Sequence, residues 1–384
     1  MTERLYYDAS YMTEFTAYVT AVRQNGAEIW VTLDRSAFYP TSGGQPFDTG
    51  VLTVTDTGEK VCVTDVEVTD GEVWHRVAGM LPEGAEVLGR IDWERRFDHM
   101  QQHGGEHMIA GAFYRLFGGT TIGLHLGKEE SSIDVTLPDG RTRVTEEEIA
   151  AVEMYVNRHI QHNEPIRCFF PSDEELASLP LRKPPTVKEH IRIVDIGGWE
   201  MVACGGTHPA NTGEIGVVKI LSVLPAKGKA RVSFVCGTRA VKYLSLCAAQ
   251  TEKSARLLSA QPGELARAVE ELKEKNSALE KELKSFRSGE YEKMLEARSG
   301  ILYLEDGDAA CLQAAVSRYI LTPGRTALCG AAGRLIFARS ADVSQDMAAL
   351  LRQVARGGGK PDMASGAGTE ESVQAAARIL SGAE

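Results

Sequence analysis

Two histidines and a cysteine–histidine pair are the residues of this sequence best suited to binding a metal ion. His103 and His107 lie four positions apart, so on a helix they share one face, one turn above the other. Cys204 and His208 have the same spacing further along the chain. Tetrahedral sets of one thiolate and three imidazoles are typical of zinc. We therefore predict a zinc site made by these four side chains, which would either clamp the fold or do chemistry.

The residues between the first two histidines allow a second interpretation. His103 to His107 reads H-x-x-E-H, a metalloprotease signature in which Glu106 would be the general base. A flexible Gly104-Gly105 pair suits a rigid protease helix poorly, and such a protease does not need Cys204 and His208. The four-ligand site is the better prediction. In a catalytic site of this kind, zinc would act as a Lewis acid or lower the pKa of a bound water.

Composition indicates a multidomain protein of the globular class. A length of 384 residues predicts two or three domains. The net charge of −11 argues against a generally basic nucleic-acid-binding surface, although a local basic patch remains compatible with it. The seven scattered cysteines contain no CxxC pair, which favours a reducing compartment. With no long apolar run, we expect a cytoplasmic protein with no membrane partner.

Residues 1–92 are predicted to form a β-barrel-like subdomain. Short alternating runs at 28–33, 51–55, 61–68 and 73–77 are separated by Gly, Asp and Pro turns. The loop after the first of these runs carries Ser36, Gln45 and a Phe38-Tyr39 pair. Taken alone, it is a turn with two packed aromatics.

Residues 93–243 are predicted to form an α+β core that holds the metal site. Apolar residues from Phe97 to Phe117 recur at helical spacing, which places His103 and His107 on an amphipathic helix. Gly104 and Gly105 each cost that helix about 1 kcal/mol relative to alanine. Such a cost is accepted where something must approach closely, and either a ligand or tight packing would explain it. Strands are expected at 131–137, 166–170 and 191–196, and a helix at 145–161.

The end of this core contains a basic stretch. Residues 215–243 carry six cations, among them Lys227, Lys229 and Arg231, and no acidic residue. In so acidic a chain, this stretch is either a phosphate-facing surface or a solvated face.

The remainder is predicted to be a helical linker at 244–298 and a small α/β domain at 299–384. Apolar residues from Leu265 to Phe286 follow a heptad pattern with Asn276 at a core position. This 265–286 helix would pair either with the preceding helix or with a second copy of the chain. The glycine-rich segment Gly357–Gly368 contains Lys360 and would either cradle a phosphate or form a mobile surface loop.

Together these motifs resemble the editing domain of alanyl-tRNA synthetase and its free-standing relatives, the AlaX proteins of the long type. The resemblance rests on the following segments, in matching order: Phe38-Tyr39-Pro40 through Gly43-Gly44-Gln45-Pro46, Asp48-Thr49-Gly50, His103 to His107, Cys204-Gly205-Gly206-Thr207-His208 and Arg231 to Gly237. Gly357–Gly368 is similar to the glycine-rich motif of the DHH-associated C-terminal domain. The aminoacylation domain of the synthetase has no counterpart among these motifs.

The resemblance implies an α+β protein that deacylates mischarged tRNA(Ala) in trans, removing serine and also glycine. A pocket made for alanine rejects an added hydroxyl only weakly and cannot exclude the smaller glycine, so a second hydrolytic site is needed. By the family pattern, zinc is held by His103, His107, Cys204 and His208, while Ser36 and Gln45 line the amino-acid pocket. Glu106 is added to these as a catalytic residue, and Lys227, Lys229, Arg231 and Lys360 as tRNA-binding residues. A homodimer would form through the 265–286 helix or the C-terminal domain.

Three positions depart from the family pattern. Family members usually carry Thr or Ser after the first histidine and Gln or Thr before the second, where this chain has Gly104 and Glu106. Ser36 stands where Thr is common. A tRNA-binding module with a structural zinc and no turnover remains the alternative of a different class.

Overall fold

The computed structural model describes residues 1–382. The chain divides into two compact units, Met1–Gln250 and Thr251–Glu384, and the division falls inside one helix. Within residues 1–382, no helix combines the length and the apolar character that a membrane span requires.

The first unit begins with a closed β-barrel, as the sequence predicted. Six strands close it in the order β2-β3-β7-β6-β5-β8, and the short strands β1 and β4 pair in parallel beside it. The strands are β1 Glu3–Arg4, β2 Glu14–Asn25, β3 Glu28–Leu33, β4 Arg35–Ser36, β5 Gly50–Val54, β6 Lys60–Thr69, β7 Glu72–Val77 and β8 Glu86–Ile91. Burial alternates along β2 and β7, so valine, leucine and phenylalanine side chains fill the interior while polar residues face outward.

Helix α1, Trp93–Phe117, follows the barrel and carries the first two predicted zinc ligands. Asp92 caps its start by accepting the backbone N–H of Arg95, and Gly118, with φ of 66°, ends it. The predicted amphipathic character is wrong for its middle, because every residue from His99 to Phe113 is buried. The reason is that α1 packs against several elements of this unit at once, including α2 and the four-stranded sheet described next.

The rest of the first unit consists of two antiparallel sheets and three helices. One sheet has the order β14-β15-β10-β9 and the other the order β11-β12-β13. The strands are β9 Thr120–Leu126, β10 Ser131–Thr136, β11 Ile166–Phe169, β12 Ile193–Ile196, β13 Glu200–Ala203, β14 Val218–Ala226 and β15 Lys229–Cys236, and the helices are α2 Glu146–Gln161, α3 Asp173–Ser178 and α4 Gly237–Leu257. A 3-10 turn, Thr212–Ile215, precedes β14. The strands and helix predicted at 131–137, 145–161, 166–170 and 191–196 are confirmed within three residues at each end.

The second unit is a small α/β domain that follows a long helix. Helix α5, Leu265–Ala297, leads into a five-stranded sheet of order β16-β17-β18-β20-β19. The other elements are β16 Ile301–Leu304, α6 Ala309–Tyr319, β17 Thr326–Ala331, β18 Arg334–Arg339, α7 Met347–Val354, β19 Arg356–Gly359, β20 Met363–Ala367 and α8 Glu370–Ser381.

The glycine-rich segment Gly357–Gly368 does not form a mobile surface loop, which was one of the two structures considered for it. Gly357 pairs with Gly366 and Gly359 with Ala364 in an antiparallel ladder, so most of the segment forms two adjacent strands, β19 at the edge of the sheet and β20 next to it. Lys360 lies in the short connection between them, exposed to solvent.

The heptad residues of α5 are exposed in the single chain. Val269, Leu272, Leu279, Leu283 and Phe286 are all between 42% and 66% exposed, whereas Leu295 near the helix end is fully buried. Pairing of this helix with a second copy of the chain stays a prediction.

Candidate metal centre

Four side chains converge where α1 meets the loop after β13. The ligand atoms of His103, His107, Cys204 and His208 all lie within 4.8 Å of one another. The Nε2 atom of His103 is 3.4 Å from the Sγ atom of Cys204, and the rings of His103 and His107 are stacked with their centroids 5.1 Å apart. Two ligands about 2.1 and 2.3 Å from one zinc ion would be separated by roughly 3.6 Å at the tetrahedral angle, so the spacing fits a shared ion.

Gln45 fixes the orientation of His103. Its Oε1 atom accepts the backbone N–H of Thr207 at 3.1 Å and faces the Nδ1 atom of His103 at 2.8 Å. Because a backbone N–H can only donate, the amide atom there must be the oxygen, and the His103 Nδ1 must carry its proton. The Nε2 lone pair is thereby left for a metal, which is the usual role of such a partner to a histidine ligand.

Burial keeps the imidazoles in the form that binds metal. It lowers the pKa of His103 to about 3 and holds the pKa values of His107 and His208 well below the ordinary range. Burial raises the pKa of the Cys204 thiol to about 12. A bound cation would be needed to ionise that thiol at neutral pH.

Both ring nitrogens of His107 and of His208 are buried and make no hydrogen bond to any residue in 1–382. Buried polar atoms without partners are uncommon, and each costs about 1–3 kcal/mol. A metal ion would satisfy one nitrogen of each ring. The residues present therefore fit a zinc ion, with His103, His107, Cys204 and His208 as its ligands.

Glycines in α1 permit the close packing that brings the site together. A Cβ atom on Gly104 would lie 2.9 Å from Cγ1 of Ile215, and one on Gly105 would lie 2.1 Å from Sγ of Cys236. Of the two explanations left open by the sequence, the structure shows tight packing. The ligand-bearing turn of α1 lies directly against the Thr212–Ile215 turn and the end of β15.

Arg192 holds the loop that carries the other two ligands. Its Nη1 atom donates to the carbonyls of Cys204 at 3.2 Å and Gly206 at 2.8 Å, and its Nη2 atom donates to the carbonyl of Tyr7 at 3.1 Å. A Cβ atom on Gly206 would lie 2.1 Å from Cε1 of His103, so only glycine lets this loop approach the histidine so closely. The sequence analysis missed Arg192, and no signal in its neighbourhood marks it.

A second buried arginine joins α1 to the barrel. Arg96 is fully buried, forms an ion pair with the buried Asp48, and donates to the carbonyls of Ala37 at 2.6 Å and Ser10 at 2.9 Å. Asp48 Oδ2 also accepts the backbone N–H of Tyr39 at 2.7 Å. The arrangement fixes the start of α1 against the loop that contains Gln45. Asp48 belongs to the Asp48-Thr49-Gly50 segment of the family resemblance, whereas no sequence motif marked Arg96.

The metal cluster borders a cavity of about 730 Å³. His103, His107, Cys204 and Glu106 line it, together with four cationic side chains, Arg4, Arg182, Lys183 and Arg192. Glu106 is 6% exposed, and its Oε2 atom is 3.6 Å from Nδ1 of His107. Burial raises the pKa of Glu106 to about 7; Arg182 and Lys183 oppose this rise, and Glu200 adds to it.

Ser36 lies apart from this cluster. It is fully buried, its Oγ atom is 2.8 Å from Nε2 of His75, and it accepts the backbone N–H of Phe38 at 3.1 Å. Neither Ser36 nor Gln45 is among the residues that line the cavity. Contact between Ser36 and a substrate stays a prediction.

Three of the predicted tRNA-binding residues lie on one hairpin of the first unit. Lys227 is at the turn between β14 and β15, with φ of 31°. Lys229 and Arg231, on β15, both form ion pairs with Asp134 of β10, at 2.6 and 2.8 Å. Asp134 therefore already neutralises part of the basic stretch. Lys360 belongs to the second unit.

Comparison with known proteins identifies the class to which this fold and site belong. The family model described as tRNA synthetases class II (A) matches residues 2–95, and the model described as threonyl and alanyl tRNA synthetase second additional domain matches residues 191–233. The first range covers the barrel, and the second contains Arg192, Cys204 and His208.

Individual relatives point the same way. The chain is 36% identical over 252 residues to the alanyl-tRNA editing protein AlaX-L of Pyrococcus horikoshii, covering 64% of this chain and 60% of that protein. It is 32% identical over 378 residues to the alanine–tRNA ligase of Ignicoccus hospitalis, covering 95% of this chain and 41% of the ligase. For the alanine–tRNA ligase of Pyrococcus furiosus, the identity is 36% over 293 residues, covering 73% of this chain and 31% of the ligase.

The chain thus belongs with the AlaX-type alanyl-tRNA editing proteins and the corresponding region of alanyl-tRNA synthetases. It spans between about a third and three fifths of the length of these relatives.

Proposed function

We propose that this protein hydrolyses the ester bond of tRNA(Ala) mischarged with serine or glycine, using a zinc ion held by His103, His107, Cys204 and His208. The observation that carries the proposal is the convergence of these four ligand atoms, within 4.8 Å of one another, at the wall of a cavity. The similarity to AlaX-L supports the substrate class.

Bound zinc would supply Lewis-acid activation of the ester carbonyl or of a water molecule. The chain's own residues set the conditions for that chemistry. Gln45 holds His103 in the metal-binding tautomer, and Arg192 holds the loop that carries Cys204. Glu106 lines the cavity beside His107, where its carboxylate can accept a hydrogen bond from the amino acid or orient a water.

The charge of the cavity suits the end of a nucleic acid. Its lining has four cationic side chains, Arg4, Arg182, Lys183 and Arg192, and two carboxylates, Glu106 and Glu189. Arg182 is paired with the buried Glu200 at 2.6 Å, which leaves an excess of one positive charge. In a chain of net charge −11, this local excess is a specific feature. It would attract the phosphates next to the terminal adenosine and bring the aminoacyl ester to the zinc.

A tRNA-binding module with a structural zinc is the second candidate. Four protein ligands are typical of closed structural sites, whereas catalytic zinc sites usually have three. The metalloprotease interpretation is weaker, because it leaves Cys204 and His208 without a role although both lie with the two histidines.

Deacylation assays distinguish these candidates. Ser-tRNA(Ala), Gly-tRNA(Ala) and Ala-tRNA(Ala) are incubated with the zinc-loaded protein and with the variants His107→Ala, Cys204→Ala and Glu106→Gln. His125→Ala changes an exposed histidine outside the cluster and is the matched control. We expect release of serine or glycine by the wild type and the control, and a loss of about 100-fold or more in the two ligand variants. Binding of tRNA without release above the buffer rate would favour the structural-zinc candidate.

A peptide-cleavage assay distinguishes the protease interpretation from the deacylase proposal. An unstructured peptide is offered to the wild type and to Glu106→Gln. We expect no cleavage by either protein, and cleavage that is lost in Glu106→Gln would contradict the deacylase proposal.

A further inference from the structure

A second group of metal-ligating side chains lies at the end of α2, and it shares no residue with the first. His159, His162 and Glu164 place their ligand atoms within 4.8 Å of one another. The Nδ1 atom of His159 is 3.7 Å from Oε2 of Glu164, and the Nδ1 atom of His162 is 3.8 Å from Oε1 of the same carboxylate. One carboxylate thus faces two imidazoles.

The surrounding structure holds Glu164 in place. Its backbone N–H donates to Oγ1 of Thr212 at 2.9 Å, and its carbonyl accepts the N–H of Thr212 at 2.8 Å. The side chain lies over Gly197, where a Cβ atom would come within 2.4 Å of Oε2.

The two histidines differ in how tightly their side chains are packed. The ring of His159 stacks on Trp199, with centroids 4.7 Å apart and an interplanar angle of 27°, and contacts Tyr155 at 4.8 Å. His162 is the C-cap of α2, and its side chain is 57% exposed. Two ligands are therefore fixed by packing, and the third can rotate to complete a site.

Two atoms of the group are buried and without hydrogen bonds. Neither Nδ1 of His159 nor Oε2 of Glu164 has a hydrogen-bond partner among the described residues, although they face each other. Two ligands about 2.1 Å from one ion are roughly 3.4 Å apart at the tetrahedral angle, close to the distances seen here. The negative end of the α2 dipole also favours a cation at this place.

We propose that His159, His162 and Glu164 form a second site for a divalent transition metal such as Zn²⁺. Two imidazoles and a carboxylate are ligands that first-row metals accept, and a set of three leaves a coordination position for solvent. The bound ion would join the end of α2 to Glu164 and, through Thr212, to the Thr212–Ile215 turn. The total zinc content counts the ion of the proposed first site as well, so the second site is measured by the difference between the wild type and His162→Ala.

Metal stoichiometry tests the site. The full chain is freed of metal with a chelator, dialysed against Zn²⁺ and analysed for bound zinc. We expect about two equivalents in the wild type and about one in His162→Ala and in Glu164→Gln. His125→Ala, which removes an exposed histidine outside both groups, should keep about two. A His162→Ala variant with the wild-type zinc content would overturn the proposal, whether the wild type binds one equivalent or two.

Trp199 provides a local optical readout. Because its ring stacks on His159, Cu²⁺ bound at Nδ1 of His159 should quench its fluorescence. We expect quenching in the wild type that is reduced at least twofold in His162→Ala, and Trp199→Phe should lose this His162-dependent part while binding as much Zn²⁺ as the wild type. Equal quenching in wild type and His162→Ala would contradict a metal site at this position, whatever the total metal content.

Discussion

Gln45 of the barrel loop contacts the metal cluster directly, with its Oε1 atom 2.8 Å from Nδ1 of His103. Gln45 also contacts Thr207 through both atoms of its amide, so one side chain joins the two ligand-bearing segments. The barrel therefore takes part in the site although it contributes no ligand.

Replacing Gln45 by leucine should weaken zinc binding by about 10–100-fold, because His103 loses the acceptor that fixes its tautomer. Competition with a chromophoric chelator measures this affinity. Gln102→Leu is the matched control, since Gln102 is an equally buried glutamine whose side chain bonds to the backbone of Cys236 and not to a ligand. Equal zinc affinities for Gln45→Leu and the wild type would contradict the prediction.

Replacing Gly105 by alanine should destabilise the protein by about 1–3 kcal/mol through overpacking against Cys236. Cys236→Ala removes the sulfur atom that the new methyl group would meet, so the double variant should be more stable than the sum of the two single effects predicts. Urea denaturation of the four proteins measures this coupling. Additive effects would show that the two positions do not compete for space.

Asp134 should make the stability of the protein depend on pH in the acid range. Hydrogen bonds from Arg231 and Lys229 lower the pKa of Asp134 to about 2, below the value of about 3.9 for an unfolded aspartate. A depressed pKa means that its contribution is fully present above about pH 4 and is lost as the pH falls through about 2. The difference in free energy of unfolding between wild type and Asp134→Asn should therefore shrink on acidification. A difference that stays constant from pH 5 to pH 2.5 would argue against the ion pairs.

The same substitution should strengthen tRNA binding if the β14–β15 hairpin faces phosphates. Asp134→Asn removes the carboxylate that pairs with Lys229 and Arg231, so both cations can contact phosphates. A plot of log affinity against log salt concentration should then become steeper, its slope changing by about one for each new contact. Asp56→Asn removes an exposed carboxylate elsewhere and controls for net charge. Identical salt slopes for both variants would place the phosphate contacts away from this hairpin.

The metal cluster could be predicted from the sequence because its chemistry is local. HxxxH and CxxxH each put two ligands within reach of one ion, and few other residue types bind zinc as well. The barrel strands could be predicted for a similar reason, since burial alternates residue by residue along strands such as β7.

The parts that could not be predicted depend on contacts between distant segments. The resemblance implied that Gln45 lines the amino-acid pocket, and nothing in the sequence marked its contact with the predicted zinc ligand His103, 58 positions away. The α1 helix was expected to have a polar face, because its polar residues gave no sign that Arg96 and Gln102 would be paired inside the protein. Strands β19 and β20 were missed because glycines in the first and small residues in the second show no alternation of large apolar and polar side chains.

The contact between Gly104 and Ile215 limits which residue can follow His103 in this fold. Because a Cβ atom at position 104 would lie 2.9 Å from the Ile215 side chain, a serine or threonine there would force that side chain to shift or would need a smaller residue at 215. Ile215, in a turn that does not line the cavity, therefore influences the volume available at position 104, one residue after a predicted zinc ligand.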